Sequence, residues 1–580
     1  MSSAIPPTAS SRRQVAAEVV VVWSTLALVS TIRFWPDLVD RILRDTDDAT
    51  RLVQVRELLA GQSWWDLTLD RIGLAGVEMH WSRHMDGLLA GPITILRPVI
   101  GVEAAELASM IIVPLALLLV ALLLISSLAR LLWPRQDVGL YAMIAFGLGA
   151  SVLNRLGPGG LDHHGLQIVL VLLTLRMVQG PPSWRSGLGA GAAAGVSLTV
   201  GLETFPVLAA ALAGVGIVWA WGSDRPKAWY QSLGMGLVSS GVASSLLFGP
   251  AGRLQSLECD VLSLGFFGLI ALPALALAAV GGRTWSQSRR WVALGVMALV
   301  GFAWFGIVSP ECHAGPYGSV PEVVHRIWID LISETRGLLS IAARGPLDAL
   351  GYALGPVVAF GFLARMTLLN RKPEWVPLSA ALLMAMALGL WQVRTMPVAM
   401  ALAAPVLGVV VVRIRDAAKW EPGRALVAVA AVLVLSGFPF GFIQSSLGSR
   451  SDAAAMEPCV TGTLLELLDE LGPGLIAAEM DIGPAILVHT DHRVLASPYH
   501  RAYEGVLAVY ELFIADSGSD RRQADYLGVS YVVVCDNSPL SDIWSADNED
   551  GLLAALLDDD PPRWLEKVID TGRSRVYAVR

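Results

Sequence analysis

Residues 45–71 read DTDDATRLVQVRELLAGQSWWDLTLDR, a run too polar to lie in lipid that begins soon after an apolar segment at 15–35. Its first four residues, Asp45-Thr46-Asp47-Asp48, place three acids in four positions. Two carboxylates one residue apart can converge on a divalent cation, whereas a solvated helix start uses one Asp as its cap. From Asp45 onward Leu52, Val55, Leu58 and Leu59 fall on one helical face, so 45–62 is expected to be an amphipathic helix lying on a membrane surface.

Working outward, the 580 residues are 54% hydrophobic and 16% charged, with mean hydropathy +0.57, which exceeds what a soluble core of this length buries. The expected fold is a polytopic α-helical membrane protein. Apolar stretches of about the length that crosses a bilayer recur near 104–132, 138–154, 164–178, 186–203, 204–221, 229–248, 262–281, 291–309, 346–366, 376–393, 395–412 and 424–445. With 15–35 they make about thirteen spans. Arg12 and Arg13 precede the first with no small-residue cleavage site, which reads as an uncleaved signal anchor with its N-terminus in the cytoplasm. Arg and Lys cluster in alternate loops (Arg130 and Arg135, Arg283 with Arg289 and Arg290, Arg413 with Arg415 and Lys419), which assigns those loops to the cytoplasm. The loops at 36–103 and 310–345, the Asp162 loop, the loop around Cys259 and the tail then face outward. A net charge of -8 gives no reason to expect nucleic acid as a partner.

The outer loops hold the chemistry. In 78–86, EMHWSRHMD, His80 and Arg83 surround a Trp where the chain re-enters the membrane, as substrate contacts or as interfacial anchors. Trp64 and Trp65 fit an interfacial anchor better than a sugar platform. Asp162-His163-His164 follows the turn Gly157-Pro158-Gly159-Gly160 and opens a span. Asp162 and His164 can share one metal with His163 turned away, and the bland reading is a capped imidazole. Glu203 is a weaker candidate of the same kind. The 310–345 loop carries His325, Arg326, Asp330, Glu334 and Arg336 on an expected amphipathic helix. Arg394 sits between two closely joined spans, where it asks for an anion, a headgroup or a bound phosphate.

Residues 1–445 therefore read as the membrane domain and 446–580 as an outer α/β domain, with strands at 475–478, 531–535 and 575–579 and helices at 461–471 and 551–557. Within it Met480-Asp481-Ile482-Gly483, with Asp481 as a ligand contact, lies at a strand end where such domains hold ligands. All four cysteines fall on the outer side, so Cys259 is expected to pair with Cys312 and Cys459 with Cys535.

Together these pieces resemble the oligosaccharyltransferase catalytic subunit and its single-chain bacterial and archaeal relatives, within the C-type superfold of membrane glycosyltransferases. Asp45-Thr46-Asp47 is similar to the family's first acidic motif, in which the second acid, here Asp47, contacts the metal. Asp162-His163-His164 is similar to the second motif in its archaeal form, which implies metal ligation by Asp162 and His164. Ile332-Ser333-Glu334 resembles the fifth outer loop's SVSE or TIxE motif, whose Glu positions the acceptor or sits near the metal. Arg394 matches by placement the Arg that grips the carrier phosphate. The acceptor-reading WWDYG motif is not present, and Met480–Gly483 occupies a comparable place without its Trp residues.

The resemblance implies transfer of a sugar or oligosaccharide from a polyprenyl phosphate or diphosphate to a glycan, lipid or protein acceptor. It implies Mn2+ or Mg2+ as the cofactor, Asp45 or Glu334 as the acceptor's base, and a bacterial inner membrane with the site facing the periplasm. The rival readings are a metal-independent ligase or polymerase of surface polysaccharide, and a transporter or lipid flippase. The acids and His residues cluster at one surface rather than at mid-membrane, which weighs against the transporter.

Overall fold

A computed structural model describes residues 9–135, 137–223, 225–318, 320–332, 335–369, 372–419, 421–447, 459–536 and 538–580. Each of the expected apolar segments coincides with a helix or a broken pair of helices, starting with α1 (Ala9–Val39). Among the described residues six helices are long and apolar enough to cross a membrane, or seven if the bent pair Glu421–Ser436 and Phe438–Gln444 forms one span. Several others, such as His164–Gln179 and Phe205–Ala220, are apolar but shorter. The bend of 63° falls at Gly437, whose φ of 82° suits glycine and where a Cβ would strike the Gly351 carbonyl. The expected span at 138–154 is likewise broken, at Ser151 with φ 60°.

Two extremes show how apolar helices are disposed. Val393–Ala417 is 83% buried and forms the centre of the bundle, while Gln287–Val308 is 11% buried and turns Val292, Leu299, Phe302 and Ile307 outward. Helices apolar all round belong in one of those two places. The closest contact is between Trp184–Val200 and Lys227–Phe248. Gly187, Gly191 and Gly195 lie every fourth residue along the first, where an added Cβ would come within 2.4, 2.1 and 2.5 Å of the Trp229, Leu233 and Leu237 carbonyl oxygens. Small residues at that spacing let two backbones approach in lipid.

Above the bundle, α2 (Thr46–Leu59) is capped by Asp45, whose carboxylate accepts from the Asp47 amide at 3.0 Å. It does not lie on a membrane surface as expected. Leu52, Val53 and Val55 are buried against Leu38 of α1 and against Ile482, Ile486 and Leu487 of the tail domain. The polar loop is thus a layer between two domains. The chain continues through a hairpin of β1 (Thr68–Leu69) and β2 (Val77–Glu78) into α3 (Arg83–Ile100) and α4 (Val102–Leu132).

The tail domain holds a five-stranded mixed sheet in the order β4 (Arg493–Val494), β3 (Leu475–Ala477), β5 (Tyr531–Cys535), β7 (Ser574–Val579), β6 (Leu565–Asp570). β3 runs parallel to β4 and β5, and β7 antiparallel to β5 and β6. Three of these strands match the sequence expectation. The β4 edge is covered by the first outer loop, since Ile72 bridges Val494 and Gly73 donates to the Val494 carbonyl at 2.9 Å. Covering an edge in this way satisfies backbone groups that would otherwise pair with another chain. The amphipathic helix expected to carry His325 to Arg336 is broken among the described residues into short ones, Glu322–Ile327 and Leu338–Arg344, with Val324, Ile327 and Trp328 folded into the tail-domain core. Both expected disulfides are present, Cys259–Cys312 and Cys459–Cys535.

Candidate functional site

The site forms where the start of α2 meets the loop ahead of His164–Gln179. Asp48 is buried, and its Oδ1 accepts from the Leu161 and Asp162 amides at 2.7 and 2.8 Å. Burial, with Asp45 and Asp162 nearby, pushes its carboxyl up. Of the three clustered acids Asp48 is therefore the one that shapes the backbone of the second motif. Asp45 is occupied twice, as the cap of α2 and in an ion pair with Arg155 at 2.6 Å. That arrangement engages both of its oxygens, which weighs against the role of base expected for it. Asp47 is half-buried in the first turn of α2.

Asp162 is buried and surrounded by cations. Its Oδ1 receives His163 Nδ1 at 2.5 Å and Arg51 Nη2 at 3.4 Å. His163 is held on its other side by Glu203, Nε2 to Oε1 3.1 Å. Burial alone would lower the His163 pKa, but Asp162 and Glu203 flanking it push it up to about 10. Burial would raise that of Asp162, and His163, His164 and Arg51 hold it well below the usual carboxylate range. His163 is thus clamped between two carboxylates that favour its protonated form, and it is not turned away from Asp162.

His164 differs. Its Nε2 lies 3.3 Å from Asp162 Oδ2, an oxygen that is buried and has no hydrogen-bond partner among the described residues. A buried carboxylate oxygen left open beside an imidazole nitrogen is chemically suited to a divalent cation. The donor atoms of Asp162, His163 and His164 lie within 4.8 Å of one another, and no donor of Asp47 belongs to that group.

Arg394 comes to the same place. A cleft with an empty volume of about 410 Å³ is lined by Arg155, His164, Gln167, Glu203, Arg394 and Thr395. Arg394 Nε donates to Gln392 at 2.9 Å and Nη2 to the Tyr317 hydroxyl at 3.2 Å, so its guanidinium is held by two loops.

Other expected residues fall elsewhere. Arg83 is a correction: it has no exposed surface, and its guanidinium is taken up by Asp86 at 2.9 Å, Gln62 at 2.7 Å and the Trp64 and Asp66 carbonyls. It braces the first outer loop and cannot touch a substrate. Asp481 is exposed and lines neither this cleft nor the neighbouring one. The Met480–Gly483 segment instead leads into a helix, Gly483–His489, that packs on α2. His80 lines the neighbouring cavity and is bonded to the Tyr499 hydroxyl. Glu334 lies outside the described residues.

Arg51 and Arg155, which bind Asp162 and Asp45, escaped the sequence reading. Arg51 is buried, pairs with Asp86 at 2.8 Å and lies over the Trp81 ring at 4.2 Å. Its position one turn after Asp48 on the same helix was the available signal, but an Arg on an amphipathic helix ordinarily faces solvent.

No family model and no curated protein matches the sequence. Solved structures do match in fold. The archaeal oligosaccharyltransferase AglB from Archaeoglobus fulgidus, in complex with an inhibitory peptide and a dolichol-phosphate, aligns with a TM-score of 0.64 at 15% identity, over 89% of this chain and 69% of that one. The Archaeoglobus fulgidus oligosaccharyltransferase tethered to an acceptor peptide containing the NVT sequon gives 0.64 at 14% identity, over 97% and 74%. Its complex with Zn and sulfate gives 0.54 at 15% identity, over 96% and 73%. The chain thus has the fold of an oligosaccharyltransferase, a polytopic membrane domain carrying a mixed-sheet domain. The likeness at these identities is one of fold.

Proposed function

We propose that this chain is a membrane glycosyltransferase that moves a sugar or oligosaccharide from a polyprenyl phosphate or diphosphate to an acceptor. In this reading about thirteen helices cross a bacterial inner membrane and the site faces the periplasm. The observation that carries it is the cleft lined by His164, Glu203 and Arg394, which sets a guanidinium suited to phosphate beside an imidazole whose Nε2 is paired with the buried Asp162 Oδ2 behind it. The fold shared with a protein solved with dolichol-phosphate, and with Zn and sulfate, supports it.

Asp162 and His164 would hold a divalent cation, with Asp47 as a further ligand, and mixed oxygen and nitrogen ligation suits Mn2+ better than Mg2+. When bound, the cation supplies Lewis-acid stabilisation of the leaving phosphate. Arg394 would add its charge to the leaving phosphate, oriented by Gln392 and Tyr317. Arg51 and His163 keep Asp162 ionised and oriented, and Arg155 anchors the first acidic motif through Asp45. Glu334 is assigned the acceptor's orientation on the resemblance of its motif, and His80 and Asp481 remain candidate substrate contacts.

The test is a deletion strain complemented with wild type or Asp162→Ala, compared by mass spectrometry of lipid-linked sugars and envelope glycans. Wild type should restore one missing glycan and Asp162→Ala should accumulate its lipid-linked precursor. Identical glycans and precursors in all three strains would sink the reading.

A further inference from the structure

A second cluster lies beside the first, and none of its residues belongs to the metal group proposed above. His80 comes from the first outer loop, Asp260 from the loop at 249–263 and His500 from the tail domain, yet one donor atom of each lies within 4.8 Å of the other two. Three segments separated by well over 100 residues have no local reason to bring two imidazoles and a carboxylate together. The side chains of His500 and Asp260 are only 14% and 9% exposed.

Each member is braced from behind. Arg501 grips Asp260 with a fork, Nε to Oδ2 and Nη2 to Oδ1, both at 2.7 Å. Cys259, next to Asp260, is tied by its disulfide to Cys312, so the carboxylate rides on a cross-linked loop. His80 Nδ1 is 2.6 Å from the Tyr499 hydroxyl and its ring is stacked on that of Tyr499 at 5.3 Å, which leaves Nε2 for a ligand. Arg253 holds the backbone on which His80 sits by donating to the Met79, His80 and Trp81 carbonyls. Outer partners that orient an imidazole and a carboxylate are the usual companions of metal ligands.

We propose that His80, Asp260 and His500 form a second divalent-metal site, of a zinc-class ion, which staples the tail domain to the outer loops. Two imidazoles and one carboxylate suit an ion of borderline softness. His500 Nε2 and Asp260 Oδ2 are 2.6 Å apart, sharing one hydrogen. Ligands of one tetrahedral ion stand roughly 3 Å apart, so a small rotation admits it, and the His500 hydrogen moves to Nδ1 as Nε2 turns its lone pair to the metal. Arg501 takes one lone pair on each Asp260 oxygen and a carboxylate has about four sites, so the fork and the ion coexist. The remaining positions of the ion open on a small pocket lined by His80, Asp260, Ser82, Thr199, Ser244 and Arg253. Water or a substrate hydroxyl can occupy them.

The site is independent of the Asp162 centre, and the test separates the two. The purified full chain is stripped with chelator, reloaded with Zn2+ alone against a weak competing chelator, and its bound zinc counted by elemental analysis. Asp162→Ala should keep one equivalent that is lost on adding His500→Gln or His80→Gln to it. That zinc should also raise the melting temperature of the Asp162→Ala protein, and Co2+ in its place should give visible bands of nitrogen and oxygen ligation. If the wild type and Asp162→Ala both bind one ion, the proposal stands and the metal assignment at Asp162 fails. An Asp162→Ala protein that binds no zinc and shows no cobalt bands overturns the second site, as does zinc content unchanged by both His substitutions. Should the combined variants misfold, the cobalt spectrum of Asp162→Ala alone decides.

Discussion

Arg51 Nη2 stands 3.4 Å from Asp162 Oδ1, at a separation of 111 positions in the chain and with both side chains shut off from solvent. The same guanidinium pairs with Asp86 at 2.8 Å, and Arg83 holds the other Asp86 oxygen. A buried row of alternating charge thus runs from the first outer loop into the candidate site. Arg51→Met should cost about 3–5 kcal/mol of stability, the loss expected when one partner of a buried pair is removed and the other stays charged. Arg51→Lys should recover part of it. Melting of the detergent-solubilised variants measures this, and an unchanged Arg51→Met transition would mean that the row is not holding the loop.

Arg394→Lys keeps the charge and loses the fork. Binding of a short-chain polyprenyl phosphate should weaken by about 1–3 kcal/mol, or about 5–150-fold. Titration calorimetry on the purified chain reads this directly, and equal affinity would remove Arg394 from the phosphate site.

Glu57 sits near the end of α2, 3.9 Å from Arg71, and burial raises its pKa to about 7 in spite of that neighbour. Because the folded value lies above the unfolded one, the stabilisation is complete below about pH 4.5 and is lost as pH rises through 7. Glu57→Gln, neutral throughout, should match wild type at pH 4 and exceed it at pH 8 by on the order of 2–3 kcal/mol. A constant difference between variant and wild type across that range would contradict the assignment.

The Cys459–Cys535 bond closes a separation of 76 residues around the start of the tail domain and the end of β5. Replacing both residues by Ala should lower stability by about 3–5 kcal/mol in the chain-entropy account. The expected readout is earlier proteolysis within 459–580 while the membrane helices stay intact. Equal protease resistance would show that packing alone holds the domain.

What the sequence determined by itself is whatever local composition and parity encode. Apolar runs placed the helices, the acids of Asp45–Asp48 and Asp162 marked the stretches between them, and β-rich runs announced β3, β5 and β7. The pairings expected for the four cysteines are those the structure holds. The tertiary structure alone decided which acid does what: Asp45 answers to Arg155, Asp48 to the backbone at 161–162, and Asp162 to Arg51 and His163. It also turned α2 from a surface helix into the layer between two domains, and brought His80, Asp260 and His500 to one point. Helical period and span length are properties of neighbouring residues, whereas a charge buried against a partner more than 100 residues away leaves no mark on its neighbours. Only the folded chain supplies that partner.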